Sequence, residues 1–296
     1  AKDTLSGRYA YSKFDSKSPG LTFISSNLPV NGASSTNKPQ TVALNYTRVQ
    51  GASMVINNIA TFGRSLPNFT PLAAITAPSI GFQNGLSELG SWAGIPQGRT
   101  QNVYNNLTTV TKTVNSHTLK FGYSIERIQA NSIFDSNVRG SLTFATFETF
   151  QQGDPVIYTQ RFGGSIRGNR VWNQGFFIQD DWRIARHLTL NIGLRTEVAG
   201  GVTEVNDIIS NLNLDKQASL GGAGTGALGS IAVGGKAFDN NTNWAPRIGF
   251  AWNPNGGKWS VRGGYGHAYD FIFLNPITNL RFAPPFMYNF STTDFS

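Results

Sequence analysis

The sequence predicts an all-β protein, an antiparallel up-and-down transmembrane β-barrel, from three observations. About nine segments alternate apolar and polar residues with a period of two, as strands with one apolar and one wet face do. The connections between these segments are alternately short and long, which is the layout of short periplasmic turns and long extracellular loops. No stretch of the 296 residues has the eighteen or so apolar positions of a membrane helix, whereas a barrel strand needs only about 9–11 residues.

The alternation predicts strands, in chain order, at 4–14, 40–50, 53–64, 101–113, 117–129, 173–184, 188–198, 244–253 and 258–269. Tight turns are predicted at 51–52, 114–116, 185–187 and 254–257, the last of which contains an Asn-Gly step that favours a hairpin. Long loops are predicted at 15–39, 65–100, 130–172 and 199–243. Loops of this length are uncommon in compact soluble domains, and this favours the barrel.

The strands at 173–184 and 188–198 show the alternation best. One face collects the large apolar side chains of Phe176, Ile178, Trp182, Leu188, Leu190, Ile192 and Leu194. The other face collects Gln179, Asp181, Arg183, Thr189, Asn191, Gly193 and Arg195. A membrane barrel turns its apolar face to lipid and places aromatic residues at both interfaces. A soluble sandwich would bury the same face against a second sheet, but sandwiches turn every ~8–12 residues.

Two local features are predicted within the long loops. A short strand is expected around 140–144, and the Gly-rich stretch 219–235 is expected to be a mobile loop. No helix of useful length is predicted anywhere in the chain. We therefore expect the strands to carry the fold.

The composition suits a strand-rich envelope protein. Charged residues make up only 14%, against roughly a quarter in ordinary soluble domains, and there are 33 Gly and 21 Phe. Cysteine is absent, which excludes disulfides, thiolate metal sites and a cysteine nucleophile. The net charge of +8 comes from scattered Lys and Arg without a basic run, so nucleic acid is not expected as a partner.

Two sequence features look like chemistry but do not support it. Gly224, Gly226 and Gly229 have the spacing of a dinucleotide fingerprint, yet they lack the βαβ unit that this fingerprint requires. Asp180 and Asp181 are adjacent on a strand, so they point to opposite faces and cannot act together as an acid and a base. Neither feature predicts a cofactor or an active site.

The histidines and serines give the same answer. His117, His187 and His267 are far apart in sequence, so a zinc cluster is not expected. No serine lies in the Gly-x-Ser-x-Gly turn on which a hydrolase triad would be built. We expect no metal, no cofactor and no enzymatic activity.

Four segments carry a family resemblance: HTLKFGYSIER (117–127), FFIQDDWRIARHLTLNIGLRTE (176–197), NWAPRIGFAW (243–252) and WSVRGGYGHAYD (259–270). They resemble the barrel of TonB-dependent outer-membrane receptors, in particular the large Oar-like members of acidobacteria. Residues 5–14 and 41–49 add weaker support. The resemblance implies a location in the bacterial outer membrane.

The resemblance also shows where the chain departs from the family. Such barrels have about twenty-two strands, whereas about nine are predicted here. The sequence contains neither a plug domain nor the short box that contacts the energy-transducing protein. It begins without the basic and apolar regions of a signal peptide. We therefore expect residues 1–296 to be one β-barrel region, a fragment of a larger barrel.

In the whole protein, the resemblance implies a function in nutrient binding by the long loops and nutrient uptake when a plug moves. The implied partners are outer-membrane lipid, a plug domain, an energy-transducing inner-membrane complex and a small nutrient ligand. Candidates for contact with the plug or the solute are the polar-face residues Arg183, Arg195, Arg247, Arg262, Asp181 and Glu197. The simpler interpretation is that the arginines form ion-pair ladders with Asp181 and Glu197, including a pair between Asp181 and Arg183.

Two other classes of function stay open on the sequence. The chain could belong to a structural or adhesive surface protein that uses the barrel only as a scaffold for its loops. It could also be a soluble all-β binding protein whose apolar strand faces pack together. Nutrient-dependent protection of loops 65–100 and 199–243 from protease would favour transport over the surface scaffold. Extraction into buffer without detergent would favour the soluble binding protein over a barrel.

Overall fold

The computed structural model describes residues 2–18, 32–72, 77–212, 230–254, 258–271 and 274–295. Nine strands form an antiparallel wall in the order in which they occur along the chain. They are β1 (Lys2–Tyr11), β2 (Gln40–Gln50), β3 (Met54–Ser65), β4 (Gln97–Val114), β5 (His117–Phe134), β6 (Arg167–Ala185), β7 (Leu188–Ala199), β8 (Asn241–Trp252) and β9 (Val261–Gly266). The antiparallel up-and-down fold and all nine predicted strands are confirmed. The wall is not closed, since β1 and β9 are its edges in the described part of the chain.

The central strands are longer than the alternation predicted. β4 and β5 have 18 residues each and β6 has 19, about twice what a barrel needs to cross the hydrocarbon layer. Their extra residues lie at the end that carries the long loops. The lipid imposes alternation only inside the membrane, so the sequence pattern ends before the strands do.

The strands meet at two kinds of connection, which define a short-turn end and a long-loop end. Turns at 51–53, 115–116 and 186–187 lie at the short-turn end. Gly51 and Asn115 have φ of 63° and 52°, the left-handed conformation that tight hairpin turns favour. The predicted Asn255-Gly256 step lies outside the described residues.

The strand register gives the wall an apolar face and a polar face. On β6 the apolar face carries Trp172, Phe176, Ile178 and Trp182, and the polar face carries Asn173, Gly175, Gln179 and Asp181. The apolar side chains stay exposed, with 51% of Phe176 and 56% of Trp244 accessible. No second sheet covers this face in the described part of the chain. The soluble protein with its apolar faces packed together is therefore wrong.

The apolar face has the height of a membrane. Trp172 and Trp182 are ten residues apart on β6, which is about 33 Å along a strand at ~3.3 Å per residue. With a strand tilt of about 40° this corresponds to roughly 25 Å, the height of the apolar band in outer-membrane barrels. The two tryptophans thus mark the two edges of the band.

The apolar face is not continuous, as the sequence had suggested. Asn58, Asn106 and Thr108 lie on it between β3 and β4. Asn58 Nδ2 donates to Thr108 Oγ1 at 2.7 Å and to Asn106 Oδ1 at 3.2 Å. These polar groups satisfy one another, and this lowers the cost of placing them against lipid.

The long loops carry secondary structure of their own. Three short strands belong to the same sheet as the wall: Phe14–Ser18, Ala33–Asn37 and Asn68–Pro71. They pair with one another, and Asn68–Pro71 also pairs with β4. A separate sheet has the order Met287–Thr292, Ile157–Gly163, Ser141–Phe144 and Ser79–Phe82, which confirms the strand expected around 140–144. Thr203–Glu204 pairs with β6, and Ser210–Leu212 pairs with Ile231–Val233.

The helices are short, as expected. They are α1 (Phe147–Gln152), α2 (Leu274–Thr278) and a 3-10 helix (Asn279–Phe282). In the described residues, no helix is long and apolar enough to cross a membrane. Residues 231–233 form a strand, so the mobile loop predicted at 219–235 is wrong there, while Gly224, Gly226 and Gly229 lie outside the described residues.

A cluster of buried apolar side chains lies on the polar face at the long-loop end. Val171 of β6 packs there with Val202, Ile209, Ala237 and Ile277, each at most 6% exposed. These partners come from segments 200–212, 230–240 and 274–282, which we call the cap. Burying apolar side chains against the wall fixes the cap over the polar face.

Candidate functional site

A cavity of about 350 Å³ lies between the cap and the polar face. Wall residues Arg99, Gln101, Glu126, Ile128, Val171 and Asn173 form its floor. Its remaining lining is Ala199, Gly200, Val202, Phe238, Phe271, Leu274 and Asn275. The volume falls within the ~300–1,000 Å³ range of small-molecule sites. We call it the Arg99 cavity.

The floor of the Arg99 cavity carries the two charged residues of its lining, Arg99 and Glu126, and the rest of the lining is mostly apolar. Arg99 Nη2 donates to Asn275 Oδ1 at 3.1 Å, which ties the floor to the cap. Asn173 Nδ2 donates to Glu126 Oε1 at 2.9 Å on the neighbouring strand. The arrangement can hold a small molecule by hydrogen bonds at one end and by apolar contact at the other.

A second cavity of about 300 Å³ adjoins the first and shares Arg99 and Asn275 with it. Thr278, Asn279 and Arg281 of the cap also line this second cavity. Arg99 therefore lies between two spaces, and a ligand in either could reach its guanidinium.

Arg281 fastens the cap to the wall. Its side chain is 3% exposed. Its Nε donates to the carbonyl oxygen of Thr278 at 2.7 Å, and its Nη1 donates to that of Ser165 at 2.8 Å. Its Nη2 donates to Ser132 Oγ on β5 at 2.7 Å. One guanidinium thus joins the cap, β5 and the segment just before β6.

Neighbouring charges act on Arg281 as well. Burial, together with the positive charges of Arg167 and Arg99, lowers the pKa of Arg281 to about 10 against the opposing effect of Asp135. A pKa of about 10 still leaves the side chain protonated at neutral pH. Arg167 Nη2 donates to the Arg281 carbonyl oxygen at 3.0 Å, so the two arginines hold the same segment.

Glu204 is a third anchor of the cap. This carboxylate is 4% exposed. Its Oε1 accepts from the backbone N–H of Gly168 at 2.7 Å, and its Oε2 accepts from the N–H of Asn206 at 2.7 Å. Because its oxygens are used by backbone donors, we assign Glu204 a structural role in shaping the cavity.

All six residues predicted from the sequence lie on the polar face, but none lines the Arg99 cavity. Arg195 and Glu197 form an ion pair, as the ladder interpretation expected. Along β7 they lie just below the cavity, toward the short-turn end. Arg247 of β8 is opposite Gly193 of β7, and its side chain covers that glycine. A Cβ added at Gly193 would lie 2.9 Å from Arg247 Cγ.

The predicted pair between Asp181 and Arg183 is wrong. The Asp181 carboxylate accepts instead from Asn191 Nδ2 at 2.6 Å and from Gln179 Nε2 at 3.1 Å. These two amides lie beside Asp181 on the polar face, while the Arg183 side chain is exposed near the turn. As predicted, Asp180 points to the opposite face, where it contacts His117.

Sequence reasoning missed the residues that build the cavity. Arg99 lies just before the predicted strand 101–113, and Arg281 lies beyond the last predicted strand. Glu126 and Asn173 fall within predicted strands, and their alternation places them on the polar face. In the described residues, no three His, Cys, Asp or Glu side chains converge as metal ligands would.

Comparison with known proteins gives a family. The family model described as Outer membrane beta barrel domain matches residues 1–296. No curated protein sequence matches the chain significantly. Among solved structures, the copper transporter OprC matches with 11% identity and a TM-score of 0.37, over 91% of this chain and 46% of that one. The chain thus spans about half the length of that protein.

Proposed function

The chain belongs to the outer membrane β-barrel domain family, and from that premise we propose that it is the wall of a barrel that takes up a small nutrient. It lies in the outer membrane with its apolar face toward lipid. The proposed whole protein is a TonB-dependent receptor in which further strands close the barrel. In this proposal the chain performs no catalysis.

The observation that carries the proposal is the Arg99 cavity at the long-loop end. The cap folds inward over the polar face and leaves a small-molecule space there. Below it, the same face continues through Glu197 and Arg195, past Phe177, to Gln179 and Asp181 near the short-turn end. A barrel that serves only as a scaffold for surface loops needs neither the cavity nor a polar route beneath it.

The remaining parts of the proposal concern partners. A plug domain would rest against the polar face, and an energy-transducing inner-membrane complex would move it. Arg183, Arg195, Arg247, Arg262, Asp181 and Glu197 are proposed contacts for the plug or for the passing solute. Their position on the polar face, between the cavity and the short turns, supports this role.

Replacing Arg99 with glutamine should weaken nutrient binding about 10- to 100-fold. A hydrogen bond to a charged group contributes about 1.5–3 kcal/mol, and each ~1.4 kcal/mol changes the affinity tenfold. The measurement is calorimetric titration of the full-length protein in detergent with siderophores, oligosaccharides and short peptides. Arg186→Gln is the matched control, because Arg186 is exposed in the turn between β6 and β7.

Uptake itself is tested in the source bacterium. Cells lacking the gene should accumulate the bound nutrient more slowly than the parent, and a protonophore should abolish the difference. Equal accumulation in both strains would overturn the transport proposal in favour of a structural or adhesive surface protein. Uptake that resists the protonophore would contradict the TonB-dependent mechanism alone.

A further inference from the structure

The two charged residues that line the Arg99 cavity lie far apart along the wall. Arg99 of β4 pairs with Ser132 of β5, and Glu126 is six residues nearer the short-turn end of β5. At ~3.3 Å per residue, the Cα atoms of Arg99 and Glu126 are about 20 Å apart. Neither side chain takes part in an ion pair within the described ranges. The cavity therefore has a positive end and a negative end.

Both charged groups keep atoms that a ligand can reach. Arg99 Nη2 is used by Asn275 Oδ1, and Glu126 Oε1 is used by Asn173 Nδ2. Arg99 Nη1 and Glu126 Oε2 have no hydrogen-bond partner among the described residues. Neither of these two atoms is buried. One end of the cavity thus offers an accessible donor and the other an accessible acceptor.

The positive end is reinforced by its neighbours. Arg281 lines the adjoining cavity together with Arg99, and the charges of Arg99 and Arg167 both act on it. The donors of Arg281 serve the cap and the wall, so it contributes charge and not a contact. Asp135 opposes only part of this positive charge. An anionic group is therefore favoured at the Arg99 end.

The negative end lacks a competing cation in the lining of the cavity. Arg127, the next residue after Glu126, lies on the apolar face, where its guanidinium carbon is 4.9 Å from the centroid of the Trp172 ring. Arg195 is on the polar face but is paired with Glu197. The Glu126 carboxylate is therefore available to a cationic group of a ligand.

The lining between the two ends is mostly apolar. Ile128 and Val171 belong to the floor, and Val202, Phe238 and Leu274 belong to the cap. The ~20 Å between the two Cα atoms, less the length of two side chains, matches an extended peptide of about three or four residues at ~3.3–3.6 Å per residue. A matching ligand has opposite charges at its two ends and apolar groups between them.

We propose that the Arg99 cavity binds short peptides with free termini and apolar side chains. The terminal carboxylate accepts from Arg99, and the terminal ammonium donates to Glu126. A neutral oligosaccharide uses neither charge, an anionic siderophore is repelled by Glu126, and a single amino acid is too short to reach both ends. This inference rests on the proposed nutrient uptake and names the class of nutrient.

The first test modifies the ligand and leaves the protein unchanged. The full-length protein in detergent is titrated calorimetrically with trileucine, its N-acetyl form and its C-terminal amide. Each modification removes one terminal charge and should weaken binding about 10- to 100-fold. Free leucine should bind at least tenfold more weakly than trileucine, because it cannot span the cavity. Equal affinities for the three forms of trileucine overturn the proposal.

The second test assigns each terminus to its residue. In Arg99→Gln, trileucine and its amide should bind equally, while the N-acetyl form should still bind more weakly. In Glu126→Gln the pattern should be reversed, and the glutamine can still accept from Asn173. Glu148→Gln, exposed on α1, is the matched control and should keep both differences. The proposal is overturned if Arg99→Gln keeps the effect of amidation or Glu126→Gln keeps the effect of acetylation.

Failure of the peptide site and failure of nutrient uptake give different results. If trileucine does not bind while a siderophore or an oligosaccharide binds in an Arg99-dependent way, the peptide proposal is overturned and nutrient uptake stands. If trileucine binding follows both charges while cells lacking the gene accumulate it as fast as the parent, uptake is overturned and the peptide site stands.

Discussion

Replacing Arg281 with glutamine is expected to open the cap, raising the population of its open state about 100-fold. The guanidinium donates to the carbonyl oxygens of Thr278 and Ser165 and to the hydroxyl of Ser132. A glutamine is too short to reach β5 and has donors on one nitrogen only. The cap would then lose these contacts, while the hydrogen bonds made by Arg99, Arg167 and Glu204 and the apolar contacts around Val171 remain.

Two opposing effects decide the size of this change. Removing a buried charge relieves its desolvation and its repulsion by Arg167 and Arg99, both of which destabilise the native arrangement. Against this, buried acceptors lose charged donors, each worth about 1.5–3 kcal/mol. Breaking a buried charged network usually costs about 3–5 kcal/mol in total. We therefore expect a net loss of about 3 kcal/mol in the free energy of local opening, which is roughly a 100-fold change.

Hydrogen exchange in the full-length protein measures this opening directly. Amides of residues 274–282 should exchange about 100-fold faster in Arg281→Gln, while those of β5 below Ser132 should not change. Arg281→Lys keeps the charge but loses the planar fork, so it should also open the cap. Arg186→Gln, in an exposed turn, should leave exchange unchanged. Wild-type exchange in Arg281→Gln would show that the apolar packing and the other anchors hold the cap without the Arg281 guanidinium.

The wall was predictable because lipid acts on every strand in the same way. Side chains on one face must be apolar over the height of the membrane, so alternation is written locally into β6, β7 and β8. The same alternation correctly separated Asp180 from Asp181 onto opposite faces. It could not show that Asp180 faces a groove, because the groove is made by residues of five different strands.

The cap was not predictable from local pattern. Arg281 reaches Ser165 and Ser132, which are 116 and 149 residues away in sequence. No periodicity links positions so far apart. One acceptor of the Arg281 side chain is the backbone carbonyl of Ser165, and every residue has such a group. Side-chain partners were uncertain for a similar reason. Asp181 had a choice between Arg183 and two amides on the same face, and the amides lie closer.

Gly163→Ala is expected to detach the strand Met287–Thr292 from its neighbour, whereas Gly164→Ala should be silent. Gly163 has a φ of +110°, a conformation that L side chains rarely adopt. A Cβ at Gly163 would lie 2.1 Å from the carbonyl oxygen of Phe286. That oxygen belongs to the backbone, so relief requires the whole strand to move. A Cβ at Gly164 meets nothing within 4 Å.

The absence of cysteine from the chain makes this prediction easy to measure. Met287 pairs with Gly163 and is 0% exposed, so Met287→Cys provides a buried thiol at the site. Backbone strain of about 1–3 kcal/mol adds to the steric overlap, so Gly163→Ala should speed maleimide labelling of this thiol by 100-fold or more. Gly164→Ala should change the rate less than twofold. Equal rates in the two variants would mean that the Phe286 carbonyl does not press on Gly163 in solution. The strand would then be held by Met287 burial and its ladder of hydrogen bonds, without close packing at Gly163.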